Sequence, residues 1–456
     1  MKRYFFIGIG GSGMSALAFV LRQRGCWVGG SDRNWDNQTN KSVFNILQGQ
    51  GIVLTAQGDQ GVIADLDGLV VSTAIEDDHP QLVKARRLQI PVVHRARLLA
   101  ELFNSARGIG IAGTSGKSTV TGMVAAVLEA DGKEPTVING GSIKAYCSEK
   151  NIGNAKCGRS DLLVAEIDES DGSIIHFSPE IGVVTNISKD HKEMSELRSL
   201  FQTFGRKTQR QFIVNGDCAE TQKSLRREAV TFGLGERNQV RAEKTEPRSG
   251  GSTFSFRDAG FELQVPGIHN VYNALAAIAV GQALGISLSS IQRGLAAFSG
   301  IKRRLDLVGR CNDIAVFDDF AHNPDKISAS LAALKAAGTR VLVVFQPHGY
   351  GPTRFLLEEL GQAFSAGLTA EDYVSCLNIY DAGGTANRDI SSRDILAGIA
   401  GPQTQFFSDR QAALICLVPE VRPGDTVVVM GARDDTLSDF AHSVFRAIKE
   451  RYSGVS

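Results

Sequence analysis

The sequence predicts an α/β protein of three domains: a Rossmann-like N-terminal domain, a P-loop-type central domain and a Rossmann-like C-terminal domain. Three observations carry this expectation. Apolar strands alternate with helical stretches along the whole chain, the grammar of parallel sheets with crossovers. Two glycine-rich turns each stand between such a strand and such a helix, where backbone N–H groups can receive phosphate. The chain has 456 residues, more than one hydrophobic core organises. The boundaries are placed at 1–106, 107–298 and 299–456.

In the first domain, residues 4–9 form an apolar strand leading into Gly8-Ile-Gly10-Gly11-Ser12-Gly13, followed by a helical pattern over 14–22. A second strand ends at Gly29-Gly30-Ser31-Asp32; strands at 69–72 and 90–93 follow, with a helix over 81–87 between them. The central domain opens with a strand at 109–113 and has further strands at 162–166 and 181–186. Its stretch 240–264 is polar and turn-rich, which predicts short antiparallel strands, and 271–284 is an alanine- and leucine-rich helix. The third domain has strands at 314–317, 340–345, 373–377 and 426–430, with helices such as 326–335 between them.

Composition removes several classes of function. Lys+Arg and Asp+Glu are both 49, so no bulk charge favours nucleic acid or a membrane surface. No apolar run approaches the ~18–20 residues of a membrane span. The seven cysteines (Cys26, Cys147, Cys157, Cys218, Cys311, Cys376 and Cys416) contain no C-x-x-C pair. They predict neither a disulfide framework nor a zinc ribbon, and a cytoplasmic location is expected.

The chemistry concentrates at the second turn. Gly113-Thr114-Ser115-Gly116-Lys117-Ser118-Thr119 is a compressed Walker-type loop between a strand and a helix, which makes the central domain an expected ATPase fold. Successive N–H groups cradle phosphate oxygens, Lys117 reaches the terminal phosphates, and Ser118 or Thr119 can ligate Mg²⁺. Carboxylates are then expected at neighbouring strand ends. Glu166, Asp168, Glu169 and Asp171 follow one strand; Asp190 and His191 follow another. Mg²⁺ takes only one or two protein oxygens, so most of these acids are not ligands. Glu166, directly behind its strand, is the favoured one. The first turn, Gly8-x-Gly10-x-x-Gly13 with Asp32 further on, also fits a dinucleotide fingerprint, which keeps an NAD oxidoreductase open as a minor reading.

In order along the chain, the loop 113–119, Glu166-Ile-Asp-Glu-Ser-Asp171, Thr185-Asn186 with Asp190-His191, Gly267-Ile-His269-Asn270 with Asn273, and Arg303-Arg304-Leu-Asp306 resemble the Mur ligases. These ATP-dependent enzymes build the peptide of bacterial cell-wall precursors. Gly8–Ser15, Ser72-Thr-Ala-Ile75 and Phe345-Gln-Pro-His348 are most similar to the alanine-adding branch. The resemblance covers essentially the whole chain. It implies a ligase that joins an amino acid, L-alanine by branch, to the carboxylate of UDP-N-acetylmuramate through an acyl phosphate, in peptidoglycan precursor synthesis. ATP and Mg²⁺ are the implied cofactors, small molecules the only substrates, and the state a monomer or homodimer.

Residue by residue, the resemblance implies that Gly10, Gly11, Ser12, Gly13, Met14 and Ser15 hold the uridine diphosphate, with Asp32 and Ser72 lining that pocket. Gly113, Thr114, Gly116, Lys117, Ser118 and Thr119 would bind the ATP phosphates. Thr119, Glu166 and His191 would hold Mg²⁺, and Asn270 and Asn273 would face adenine. Arg304 and Asp319 would also reach ATP, His322 and His348 would lie near the incoming amine, and Arg354 near the amino-acid carboxylate. Lys117, His191, His322 and His348 are the implied catalytic groups. Asn323-Pro324 also reads as a structural turn. Two alternatives stay open: a ligase adding an L-Ala-γ-D-Glu-containing tripeptide, because Asp318-Asp319-Phe320-Ala321-His322 is similar to that branch, and a nucleotide-binding relative without turnover.

Overall fold

A computed structural model describes residues 1–188, 193–223, 229–248, 250–336, 338–381, 387–432, 434 and 436–453. Apolar strands buried on both faces build three main sheets, as expected for parallel sheets covered by helices. The first has five strands in the order Val53–Thr55, Trp27–Ser31, Arg3–Ile7, Gly68–Val71, Val92–His94, all parallel. The chain winds outward one way from Arg3–Ile7 and then returns to its other side. The first glycine turn therefore opens at the switch point, where open α/β sheets bind ligands.

The second sheet has eight strands. At its centre Arg107–Ala112 lies between Ile181–Val184 and Leu162–Glu166, all parallel, so three carboxyl ends open side by side. Its far edge is the antiparallel pair Thr136–Ile138 and Ala155–Lys156. The polar stretch forms a small three-stranded sheet, Glu243–Arg248, Gly251–Phe256 and Ala259–Leu263.

The third sheet has six strands. Ile314–Asp319, Thr426–Gly431, Val341–Gln346 and Tyr373–Cys376 are the parallel strands that the sequence foretells. Two more lie at the edges: Asp306–Cys311, antiparallel, and Gln403–Phe406. Both are half-exposed or exposed at most positions, so no apolar run announces them.

The chain forms two compact units. The first two sheets share one, and the six-stranded sheet makes the other with the segments 246–253 and 264–269. Among the described residues no helix is long and apolar enough to cross a membrane.

Candidate active site

The second glycine turn is shaped by what cannot fit beside it. Gly113 has φ +128° and Gly116 φ +84°, backbone that side chains rarely adopt. A Cβ at 113 would fall 2.1 Å from Thr185 Oγ1, and one at 116 would fall 2.6 Å from Asn273 Oδ1. The neighbouring strand end then pins the loop. Thr114 N–H donates to Asn186 O at 3.1 Å, Ser115 N–H to Asn186 Oδ1 at 2.9 Å, and Thr185 Oγ1 donates to Ser115 O at 2.6 Å. The helix begins at Lys117, three residues before its apolar period shows, and no side chain caps it. Its first N–H groups are therefore available to an anion.

Lys117 Nζ donates to Gly113 O at 2.7 Å and to Glu169 Oε2 at 2.9 Å. Burial works against its charge, but Glu169, Glu166 and Asp168 outweigh that and hold the ammonium above its ordinary pKa. Burial likewise works against ionised Asp168, yet Lys117 and the Ser170 N–H bring its carboxyl below the usual range. Glu166 Oε2 accepts from Ser118 Oγ and from Gly140 N–H, both at 2.7 Å. The loop hydroxyl beside this carboxylate is thus Ser118, whereas Thr119, expected at the metal, has no side-chain hydrogen bond among the described residues. His191 lies outside the described residues.

Asn270 and Asn273, expected at adenine, are buried and joined by a 3.0 Å bond from Asn273 Nδ2 to Asn270 Oδ1. Asn273 Oδ1 stands where a Cβ at position 116 would lie, so Asn273 packs beside the glycine loop itself.

The first turn is closed by Asp32. Its carboxylate accepts from Gly10 N–H at 2.9 Å and caps a short helix through Asn34 N–H at 2.8 Å. Ser72 follows the adjacent strand, and Ile75 of the same motif meets the turn at Gly8. The helix Ser12–Gln23 starts on Gly11 without a side-chain cap. Ser15, also expected at the diphosphate, faces into the fold. It is 1% exposed, its N–H is bonded to Gly11 O, and its hydroxyl turns inward to Gly11 O and Ser12 O. Sequence reasoning also missed Arg95. A Cβ at Gly13 would lie 2.9 Å from its guanidinium nitrogen, so Arg95 covers the uncapped helix end. Its position at the start of Arg95–Asn104, just behind an edge strand, was the available signal.

In the other unit, His322 and His348 come together edge to face, with ring centroids 5.9 Å apart. His322 Nδ1 is 2.8 Å from Phe320 O; a carbonyl only accepts, so Nδ1 carries the proton and Nε2 the lone pair. Burial, with Lys326 nearby, pushes its pKa down to about 3. Arg303 and Arg304 both lie 5.0 Å from the Phe320 ring centroid. Asp319, expected at ATP, is buried and braces its surroundings. It accepts from Leu305 N–H at 3.3 Å and from Ser330 Oγ, and burial raises its carboxyl. Arg354, expected at the amino-acid carboxylate, is engaged by Asp389 and by Asn387 O at 2.9 Å. Asn323 caps the helix Pro324–Lys335 through Lys326 N–H at 3.0 Å, as the turn reading of Asn-Pro anticipates.

A glycine loop at the carboxyl end of a central strand, a switch-point turn and a further α/β sheet are the parts of a Mur ligase, and the chain belongs to that family. Family models match residues 3–107 (Mur ligase family, catalytic domain), 111–281 (Mur ligase middle domain) and 303–433 (Mur ligase, glutamate ligase domain). Among its relatives, the UDP-N-acetylmuramate–L-alanine ligase of Geotalea uraniireducens is 38% identical over 452 residues, 95% of each chain. That of Gloeobacter violaceus is 38% identical over 443 residues, 94% of this chain and 92% of its own. In structure, the UDP-N-acetylmuramate–alanine ligase of Thermotoga maritima superposes with a TM-score of 0.82 at 26% identity, covering 100% of both chains.

Proposed function

We propose that this chain is an ATP-dependent ligase joining L-alanine to the carboxylate of UDP-N-acetylmuramate, in peptidoglycan precursor synthesis. What carries the reading is Lys117, held charged beside a glycine loop at the carboxyl edge of the central sheet, on a chain whose relatives bear that activity over nearly its full length. A carboxylate is a poor electrophile, and phosphorylation by ATP turns it into an acyl phosphate. An amine then attacks that carbonyl through a tetrahedral oxyanion; the C–O bond to phosphate breaks, and the departing phosphate carries away the proton that the amine nitrogen sheds. Lys117 and the helix N–H groups neutralise charge on the transferring phosphoryl group.

Mg²⁺ fits the residues present. Ser118 Oγ and Glu166 form a pair of oxygen donors at the lip of the N–H cradle, the hard donor set and low protein ligand count that this ion prefers. Bound there with ATP, it would offset phosphate charge. At the first turn, Gly10–Gly13 and Arg95 hold the nucleotide-sugar diphosphate. His322, neutral and with Nε2 free of its proton, accepts a hydrogen bond from the incoming amine rather than taking its proton outright.

The test is phosphate release with ATP, UDP-N-acetylmuramate and a panel of L-alanine, L-serine, glycine and L-Ala-γ-D-Glu-containing tripeptide, scored by product mass. Release that needs both the nucleotide sugar and L-alanine is expected. Release stimulated only by the tripeptide would move the chain to the tripeptide-adding reaction, and release indifferent to every amine would end the ligase reading.

A further inference from the structure

The structure ties the two glycine turns to each other through a pair of buried asparagines. Along the antiparallel edge of the central sheet, Val137 pairs with Lys156 and Ile138 with Ala155. On the next rung Asn139 N–H donates to Asn154 O at 2.9 Å. Asn139 is 1% exposed and Asn154 2%.

Their carboxamides reach in opposite directions. Asn139 Nδ2 donates to Ser118 O at 3.2 Å, in the first turn of the helix behind the ATP loop. Its Oδ1 accepts from Gly140 N–H at 3.1 Å, the same N–H that Glu166 Oε2 holds at 2.7 Å. Asn154 Nδ2 donates to Ser12 O at 2.8 Å and to Ser15 Oγ at 2.9 Å, in the first turn of the helix behind the nucleotide-sugar loop. Ser15 Oγ in turn donates to Gly11 O at 3.0 Å. A continuous path of hydrogen bonds and one short rung therefore runs from Ser118 to Gly11.

Burying two carboxamides is costly unless their polar atoms are met, and an apolar residue would fill the same space without that demand. A carboxamide nitrogen has two hydrogens, and Asn154 directs both at the first turn. An apolar contact tolerates sliding, whereas paired hydrogen bonds set direction and distance.

We propose that Asn154, backed by Asn139, is a positioning residue that couples the two phosphate-binding turns, so that occupancy of one sets the geometry of the other. The inference rests on the reading that the first turn takes the nucleotide sugar and the second ATP. Neither carboxamide touches reacting atoms; the pair acts through Ser12 and Ser15 on one side and Ser118 on the other. Coupling of this kind is reciprocal, and each ligand tightens the other by about tenfold.

The experiment measures the Kd of a non-hydrolysable ATP analogue with Mg²⁺ by titration calorimetry, with and without saturating UDP-N-acetylmuramate, on the full chain. The reciprocal titration completes the cycle. In the unmodified protein each ligand should tighten the other about tenfold; in Asn154→Leu, which keeps the branched shape and removes the donors, the ratio should fall to near one. Each ligand alone should still bind within a few-fold of the unmodified protein. Should Asn154→Leu fail to fold, as judged by thermal melting, Ser15→Ala removes one acceptor of the same path and should roughly halve the coupling on a logarithmic scale. A ratio unchanged in the folded variant, or a ratio of one in the unmodified protein, overturns the proposal. An equal weakening of both ligands with the ratio kept marks a merely structural role and also overturns it. Failure of the function reading is separate: it would show as no binding of either ligand to the unmodified protein.

Discussion

Glycine at position 116 answers two demands at once, a positive φ and a neighbour, Asn273, where a Cβ would stand. Gly116→Ala should weaken ATP-analogue binding by tenfold or more, on the order of 1.4 kcal/mol, and leave nucleotide-sugar binding intact; calorimetry on both ligands checks it. Lys117→Ala should abolish phosphate release and retain the nucleotide sugar. It should also lower the melting temperature, because Glu169, 7% exposed at its side chain, loses its cation. An unchanged melting temperature would show that Glu169 is solvated or protonated without Lys117. Lys117 was legible because a P-loop places its lysine by spacing along the chain. Arg95, Asn139 and Asn154 were not, because their partners are set by packing between segments far apart in sequence. Ser118 and Thr119 illustrate the same limit: spacing admits either hydroxyl beside the acid, and it is Ser118 whose Oγ meets Glu166 in the fold.

At the level of elements, many strands buried on both faces were readable from apolar runs, and several helices from their period, although the short buried strands Thr136–Ile138 and Gln211–Asn215 were not. Helix starts were not. The helices at Ser12 and Lys117 begin two and three residues before their apolar pattern, because a first turn exposed to ligand carries small polar residues instead of core ones. The polar edge strands Asp306–Cys311 and Gln403–Phe406 escaped for the converse reason, since an edge need not be apolar. Asn323-Pro324 shows local chemistry that sequence does reveal: a cap followed by a proline whose missing N–H has no cost there. Asn323→Ala should cost about 1 kcal/mol in chemical denaturation, and Asn323→Ser should restore most of it. A loss common to both variants would mean that Asn323 has a role beyond the cap.

For the whole molecule, pH provides a further test. Burial pushes His322 down to about 3 and His269 to about 4, against an ordinary value of 6.5. Below that ordinary value the unfolded chain takes up protons that the folded one refuses. Stability is therefore fully present above about pH 6.5 and is lost as pH falls toward 4. Melting temperatures should drop over that window, and His269→Asn should flatten the slope; an unchanged slope would place the acid sensitivity elsewhere. The uncapped helix at Ser12 has an electrostatic consequence of its own. Arg95 sets its guanidinium beside the positive end of that helix, and Asp168 lies close enough for its carboxylate to feel that charge. If the nucleotide-sugar diphosphate binds there as proposed, the resistance of this domain to unfolding should rise with the concentration of that ligand.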